Sequence, residues 1–244
     1  AELWRHEGPP AQRAPGGRAA AHPRDGGDAK KSFGVGLIPQ LAHCLRDLRF
    51  PAGVKVPFKA GQYLQVLLDG HEPRSFSMAN TPRASDAAQL HVRVLPGGLF
   101  GPMLSTLRPG HDVEVELPFG DFHLREGDGP VVLVAGGTGF APIQAILEEA
   151  LPKQPGRSFS LYWGARQADG LYALEQVRKW EQKFPHFRFH GVISEGEVPA
   201  PWRSGYVQEA VLADHADLSG HQVYVCGAPG VVSWVRSLKA VATM

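Results

Sequence analysis

The chain has 244 residues, 43% hydrophobic and 20% charged, with a net charge of +1, which is room for one large domain or two ordinary ones and excludes wholesale disorder. So balanced a charge gives no reason to expect nucleic acid or an anionic membrane surface as partner, and no apolar run is long enough to insert in a bilayer. Two distant cysteines, Cys44 and Cys226, and eleven scattered histidines exclude a disulfide framework, a zinc knuckle and a four-cysteine iron–sulfur cluster, so no metal is expected.

Residues 1–31 are rich in Pro, Gly, Ala and Arg and poor in large apolar residues, which predicts a disordered tail. No apolar signal core precedes the fold, so a cytoplasmic location is expected. From Ser32 to about residue 127 the signals are short strands with turn punctuation. GQYLQVLLD (Gly61 to Asp69) reads as a strand. In LHVRVLP, Leu90, Val92 and Val94 alternate with His91 and Arg93; in DVEVELP, Val113, Val115 and Leu117 alternate with acids. Such alternation means one buried face and one wet face, as in an antiparallel sheet or small barrel.

Between these strands lies RSFSMANTP, from Arg74 to Pro82. If the stretch is extended, Arg74 and Phe76 share one face and Ser75 and Ser77 the other. A cation beside an aromatic ring suits a ligand that is flat and anionic. A core phenylalanine between solvated neighbours gives the same pattern.

From residue 128 onward the pattern changes. VVLVA (Val131 to Ala135) is apolar on both faces, as a central parallel strand requires. APIQAILEEAL then places Ile143, Ile146, Leu147, Ala150 and Leu151 on one helical face. Strand and helix alternate to the C-terminus through SFSLYW, ALEQVRKWEQKF, FRFHGVIS, YVQEAVL, QVYVCG and GVVSWVRSLKAVA, which predicts a doubly wound parallel sheet. Trp180 and Trp234 fall on apolar helix faces and read as core.

Gly136-Gly137-Thr138-Gly139 joins the first buried strand to its helix. Such a turn lets backbone approach a phosphate at the helix N-terminus, although the stretch departs from GxGxxG; a tight turn alone would also use glycine. Pro142 suits an early helical position.

Six stretches in order resemble the ferredoxin–NADP reductase superfamily over roughly residues 35–235. Arg74-Ser75-Phe76-Ser77, His91-Val92-Arg93 with Gly97-Gly98, and Pro118-Phe119-Gly120-Asp121-Phe122 look like its flavin-binding barrel. Gly136-Gly137-Thr138-Gly139, Tyr162-Trp163-Gly164-Ala165-Arg166 and Val225-Cys226-Gly227-Ala228-Pro229 look like its pyridine-nucleotide domain. Within the family the chain is similar to CDP-6-deoxy-glucoseen reductases, oxygenase reductase components and NAD(P)H–flavin reductases.

The resemblance implies a six-stranded antiparallel FAD barrel over residues 32–127 and an NAD(P) domain over 128–244. It implies hydride transfer from NADH or NADPH to FAD, or FMN, with electrons passing on to a ferredoxin-like or oxygenase component or a small acceptor. Arg74 would pair with the flavin phosphate, Phe76 would pack on the isoalloxazine where the family usually has tyrosine, and Ser75 and Ser77 would line the flavin, Ser77 near N5. His91, Val92, Arg93, Gly97 and Gly98 would approach the ribityl and pyrophosphate. Gly136, Gly137, Thr138, Gly139 and Pro142 would hold the nucleotide, Arg166 its adenosine ribose, and Cys226, Gly227 and Pro229 the nicotinamide side. Ser77 and Cys226 would be the catalytic positions.

Four departures from the family pattern qualify these expectations. Gly101-Pro102 replaces a usual serine or threonine, and the chain between Cys44 and Phe58 looks short by a strand. A tail stands where oxygenase reductases carry a ferredoxin domain, and SLKAVATM lacks the usual aromatic C-terminal segment. Two other outcomes thus stay open: a free-flavin reductase, and a truncated, non-catalytic nucleotide-binding relative.

Overall fold

The computed structural model describes residues 31–38, 43–68, 70–93 and 112–235, with side chains from residue 47 to residue 234 within those stretches. The expected tail up to residue 30, the Gly97-Gly98 turn, Gly101-Pro102 and the C-terminal SLKAVATM lie outside the described residues; Lys31 opens the first strand instead.

Six strands form the first sheet: β1 (Lys31–Ile38), β2 (His43–Arg49), β3 (Tyr63–Leu68), β4 (His71–Ser77), β5 (Ala87–Arg93) and β6 (Asp112–Phe119). Their order is β4-β3-β6-β1-β2-β5 and every pairing is antiparallel. A bridge between Met78 and Leu90 brings the two edge strands together, so the sheet curls into a barrel. The expectation of a missing strand is corrected: β1 and β2 complete the set of six. Both are weakly marked in the sequence: β1, KSFGVGLI, carries two glycines that dilute its alternation, and β2 carries charged residues. Leu64, Val66, Met78, Leu90, Val92, Val113 and Val115 fill the barrel, while Asp112 and Glu114 face water, as period-2 patterning requires.

The second sheet is parallel, ordered β10-β9-β8-β7-β11. It comprises β7 (Val131–Gly136), β8 (Phe159–Ala165), β9 (Phe187–Ile193), β10 (Arg203–Ser204) and β11 (Gln222–Cys226). Helices α1 (Phe140–Ala150) and α2 (Leu174–Lys183) cover one face; α3 (Val207–Asp214) and α4 (Pro229–Val235) cover the other. Trp180 is core on the first face and Trp234 packs on the second. Among the described residues no helix is long and apolar enough to cross a membrane.

Two features depart from simple patterning. Helix α1 is buried all round from Phe140 to Leu147, rather than on one stripe, because the sheet lies on one side and the barrel on the other: Gln144 Nε2 reaches the Ala79 carbonyl at 3.4 Å and Gln89 Oε1 at 3.2 Å. Strand β10 pairs only with Val192 and Ile193, leaving the rest of β9 at the sheet's edge. There the Phe189 N–H donates to Glu181 Oε1 at 3.0 Å, and Arg188 Nη1 donates to the Pro185 and Phe187 carbonyls, both at 2.9 Å. Trp202 lies against Gly191.

Candidate functional site

On the barrel, β4 carries Arg74, Ser75, Phe76 and Ser77 in extended register with Val66, Gln65, Leu64 and Tyr63 of β3. Arg74 and Ser75 are exposed and Ser77 is half-buried. The Phe76 ring is half-buried: one side packs on the barrel core and the rest reaches the surface. Where β3 meets the end of β6, Tyr63 stacks on Phe119 with centroids 5.5 Å apart, and Gln62 Nε2 donates to the Gly120 carbonyl at 2.8 Å. Asp121 pairs with Arg125 and, at 2.9 Å, with His123. The Arg125 hydrogen bond, foremost, holds its carboxyl below the usual carboxylate range.

The alternation in LHVRVLP predicted His91 on the wet face of β5. The structure corrects this: His91 is 6% exposed and Val92 3%, so neither side chain is open to a ligand, and of the three only Arg93 is exposed. His91 is buried because the parallel-sheet half covers that face of the barrel. Its Nδ1 lies 2.8 Å from the Tyr172 hydroxyl, and its ring lies against Phe140.

On the parallel sheet, the glycine stretch follows the carboxyl end of β7. Gly137 takes φ +54, a conformation L side chains rarely adopt, and starts a short 3-10 turn, Gly137–Gly139, that runs into α1. A Cβ on Gly139 would lie 2.1 Å from the Cys226 carbonyl oxygen, and one on Gly227 would lie 3.0 Å from Gly136 backbone atoms. The turns after β7 and β11 thus touch backbone to backbone, which only glycine permits. Thr138 is half-buried, Pro142 is buried as the third residue of α1, and Pro229 opens α4 as an exposed residue. The turn therefore presents bare main chain at a helix N-terminus, the arrangement that accepts phosphate oxygens.

Cys226 ends β11 and is 8% exposed, within the same core cluster as Phe140 and Trp163. Burial pushes its thiol pKa up, so it is a neutral packing group rather than a thiolate nucleophile. Arg166, just past β8, is exposed and pairs loosely with Glu195, Nε to Oε1 3.6 Å.

Four residues that shape this region carried no assigned role in the sequence: Phe140, Gln144, Trp163 and Tyr172. Trp163 donates its indole N–H to the Gly137 carbonyl at 3.0 Å. Gln144 and Tyr172 both reach the barrel. Only Trp163 carried a signal, as part of the YWGAR stretch; Tyr172 and its partner His91 are 81 residues apart, a pairing no local pattern announces.

Residues 41–124 match an oxidoreductase FAD-binding domain and residues 133–237 an oxidoreductase NAD-binding domain. The chain is 43% identical over 195 residues to terephthalate 1,2-dioxygenase reductase component 1 of Comamonas sp., covering 79% of this chain and 58% of the relative. It is 34% identical over 192 residues to the CDP-6-deoxy-L-threo-D-glycero-4-hexulose-3-dehydrase reductase of Yersinia pestis, covering 78% of this chain and 58% of that one. The chain thus spans somewhat over half the length of these relatives. The crystal structure of an Amycolatopsis cytochrome P450 reductase superposes with a TM-score of 0.79 at 33% identity, over 86% of this chain and 65% of that one. A curled antiparallel barrel followed by a doubly wound sheet, with both domain models matched in that order, makes this chain a member of the ferredoxin–NADP reductase superfamily.

Proposed function

We propose that the protein is an NAD(P)H-dependent flavin oxidoreductase that delivers electrons to an acceptor protein, a ferredoxin-like or oxygenase component, from a cytoplasmic location. Its flavin unit runs over residues 32–127 and its nucleotide unit over residues 128–244. The observation that carries this reading is the glycine-only contact between the turns after β7 and β11, Gly139 on Cys226 and Gly227 on Gly136. Ahead of the buried start of α1 it leaves Gly136 and Gly137 half-exposed with no side chain in the way, where main-chain N–H groups would meet a pyrophosphate.

When bound, flavin and nicotinamide supply the hydride chemistry; the chain supplies binding, orientation and exclusion of water. Arg74 offers a planar, permanently charged fork to the flavin phosphate. Phe76 offers a ring face for the isoalloxazine, Ser75 lines the same strand, and the Ser77 hydroxyl offers a hydrogen bond at N5. Arg93 meets the ribityl and pyrophosphate portion. Gly136, Gly137, Thr138 and Gly139 hold the nucleotide phosphates with Pro142 shaping the helix start, Arg166 meets the adenosine ribose, and Gly227 and Pro229 shape the turn at the nicotinamide. Cys226, neutral and packed, limits where the nicotinamide can sit.

The test is a visible absorbance spectrum of the purified protein, with and without added FAD, followed by anaerobic NADH or NADPH. A bound flavin that bleaches is the expected result, and the more effective nucleotide names the donor. Flavin that is reduced only while exchanging freely would make it a substrate. Protein that stays colourless and reduces no added flavin would overturn the reading.

A further inference from the structure

Three rings cross from one half of the molecule to the other. His91 of β5 lies nearly parallel to Phe140 of α1 (centroids 6.2 Å, 23°), and Phe140 lies on Trp163 of β8 (4.0 Å, 13°). Tyr172 stands edge-on to all three, at 87° to His91, 77° to Phe140 and 89° to Trp163. Both ends of the row are tied by hydrogen bonds: His91 Nδ1 to the Tyr172 hydroxyl at 2.8 Å, and the Trp163 indole N–H to the Gly137 carbonyl at 3.0 Å. The row thus begins in the barrel and ends on the turn assigned above to the nucleotide.

Edge-to-face and offset-parallel rings have preferred geometries, and a close-packed interior moves between discrete arrangements rather than yielding smoothly. A shift of His91 therefore reaches Gly137 through Phe140 and Trp163. Tyr172 sets the row's position because it stands against every ring of it, and its hydroxyl meets an imidazole in a buried setting where an unmatched polar atom is costly. Burial raises its pKa, so the hydroxyl keeps its proton.

Resting on the flavin-reductase reading, we propose that Tyr172 is a positioning residue: through the His91–Phe140–Trp163 row it holds the Gly136–Gly139 turn at a fixed depth relative to the barrel, and so sets the approach of nicotinamide to flavin. An error of 1 Å in such an approach costs about 100-fold in rate, so the demand for a rigid link is high.

The test compares the full chain with Tyr172→Phe, which keeps the ring and removes only the hydroxyl, and with Tyr162→Phe, which removes a buried hydroxyl bonded to Asp214 on the other face of the sheet. Amide hydrogen exchange is read without any ligand. The expected result is exchange about fivefold faster at Gly137 to Ala141 in Tyr172→Phe, with the strands of both sheets unchanged and no effect on the turn in Tyr162→Phe. In stopped-flow reduction, Tyr172→Phe is expected to lower the limiting rate about tenfold while leaving KM for the nucleotide unchanged. Exchange at the turn equal to wild type, or rising only in step with the whole molecule, would overturn the proposal. Absence of flavin reduction in the wild-type protein would instead sink the functional reading, while the exchange measurement still decides whether the row couples the barrel to the turn.

Discussion

On the barrel, the candidate ligand groups are side chains reaching out of a strand; on the parallel sheet they are main-chain atoms lying against one another. Arg74 and Ser75 are exposed on β4, whereas Gly139 and Cys226 are pressed together at the carboxyl ends of β7 and β11. The barrel can therefore lose a ligand contact without losing its fold. In the parallel-sheet half, the candidate site and the fold are the same contacts. Substitutions separate the two halves by whether stability and binding fall together.

The largest expected effect is at Gly139. Gly139→Ala drives a Cβ into the Cys226 carbonyl, a backbone atom that no rotamer change can move aside, so thermal stability should drop by about 3 kcal/mol or more and nucleotide binding should go with it. Gly156, which has nothing within 4 Å of an added Cβ, is the control: Gly156→Ala should shift stability by no more than about 0.5 kcal/mol. A stable Gly139→Ala that binds nucleotide normally would break the comparison.

Arg74→Ala should come next, and with the opposite character. Loss of a charge-assisted contact should weaken flavin affinity about tenfold or more, read by flavin titration, with the melting temperature and nucleotide affinity unchanged. Equal loss of both ligands would place Arg74 in the fold rather than the site.

The smallest effect belongs to the far face of the sheet. There Tyr162 donates to Asp214 at 2.8 Å, His190 lies 4.4 Å over the Tyr162 ring, and His215 Nε2 is 3.2 Å from its hydroxyl. Burial lowers the pKa of His190 and of His215, and the Arg203 hydrogen bond lowers that of Asp214. All three lie below their unfolded values. The unfolded chain then takes up protons first, so the histidine contribution is fully present above about pH 6.5 and is lost as pH falls from there through the depressed folded values; the Asp214 contribution is lost in more acidic solution. Between pH 7.5 and 5.5 the melting temperature should decline by about 2 °C or more, and His190→Phe should flatten the decline. A profile already flat in the wild-type protein would remove the cluster from the account.

The same contrast explains what could be read from the sequence. VVLVAGGTG announced a buried strand and a glycine turn into a helix because an all-apolar run and consecutive glycines are local signals, and the alternation in DVEVELP named its buried face correctly. β1 was missed because glycine takes no side in an alternating pattern. His91 was placed on the wet face because alternation describes the strand, while the surface that covers His91 comes from Tyr172, 81 residues on. The all-round burial of α1 has the same origin: its second apolar face is made by the barrel, and nothing within the helix records that.

The two-residue strand β10 has a consequence for how the molecule survives at high concentration. An open strand edge invites another chain to add to the sheet. At β9 the carboxylate of Glu181 occupies the Phe189 N–H, the Arg188 guanidinium occupies two carbonyls, and Trp202 overlies Gly191. This part of the edge is thus covered by charged and bulky side chains rather than by a neighbouring strand, which disfavours the addition of another chain there.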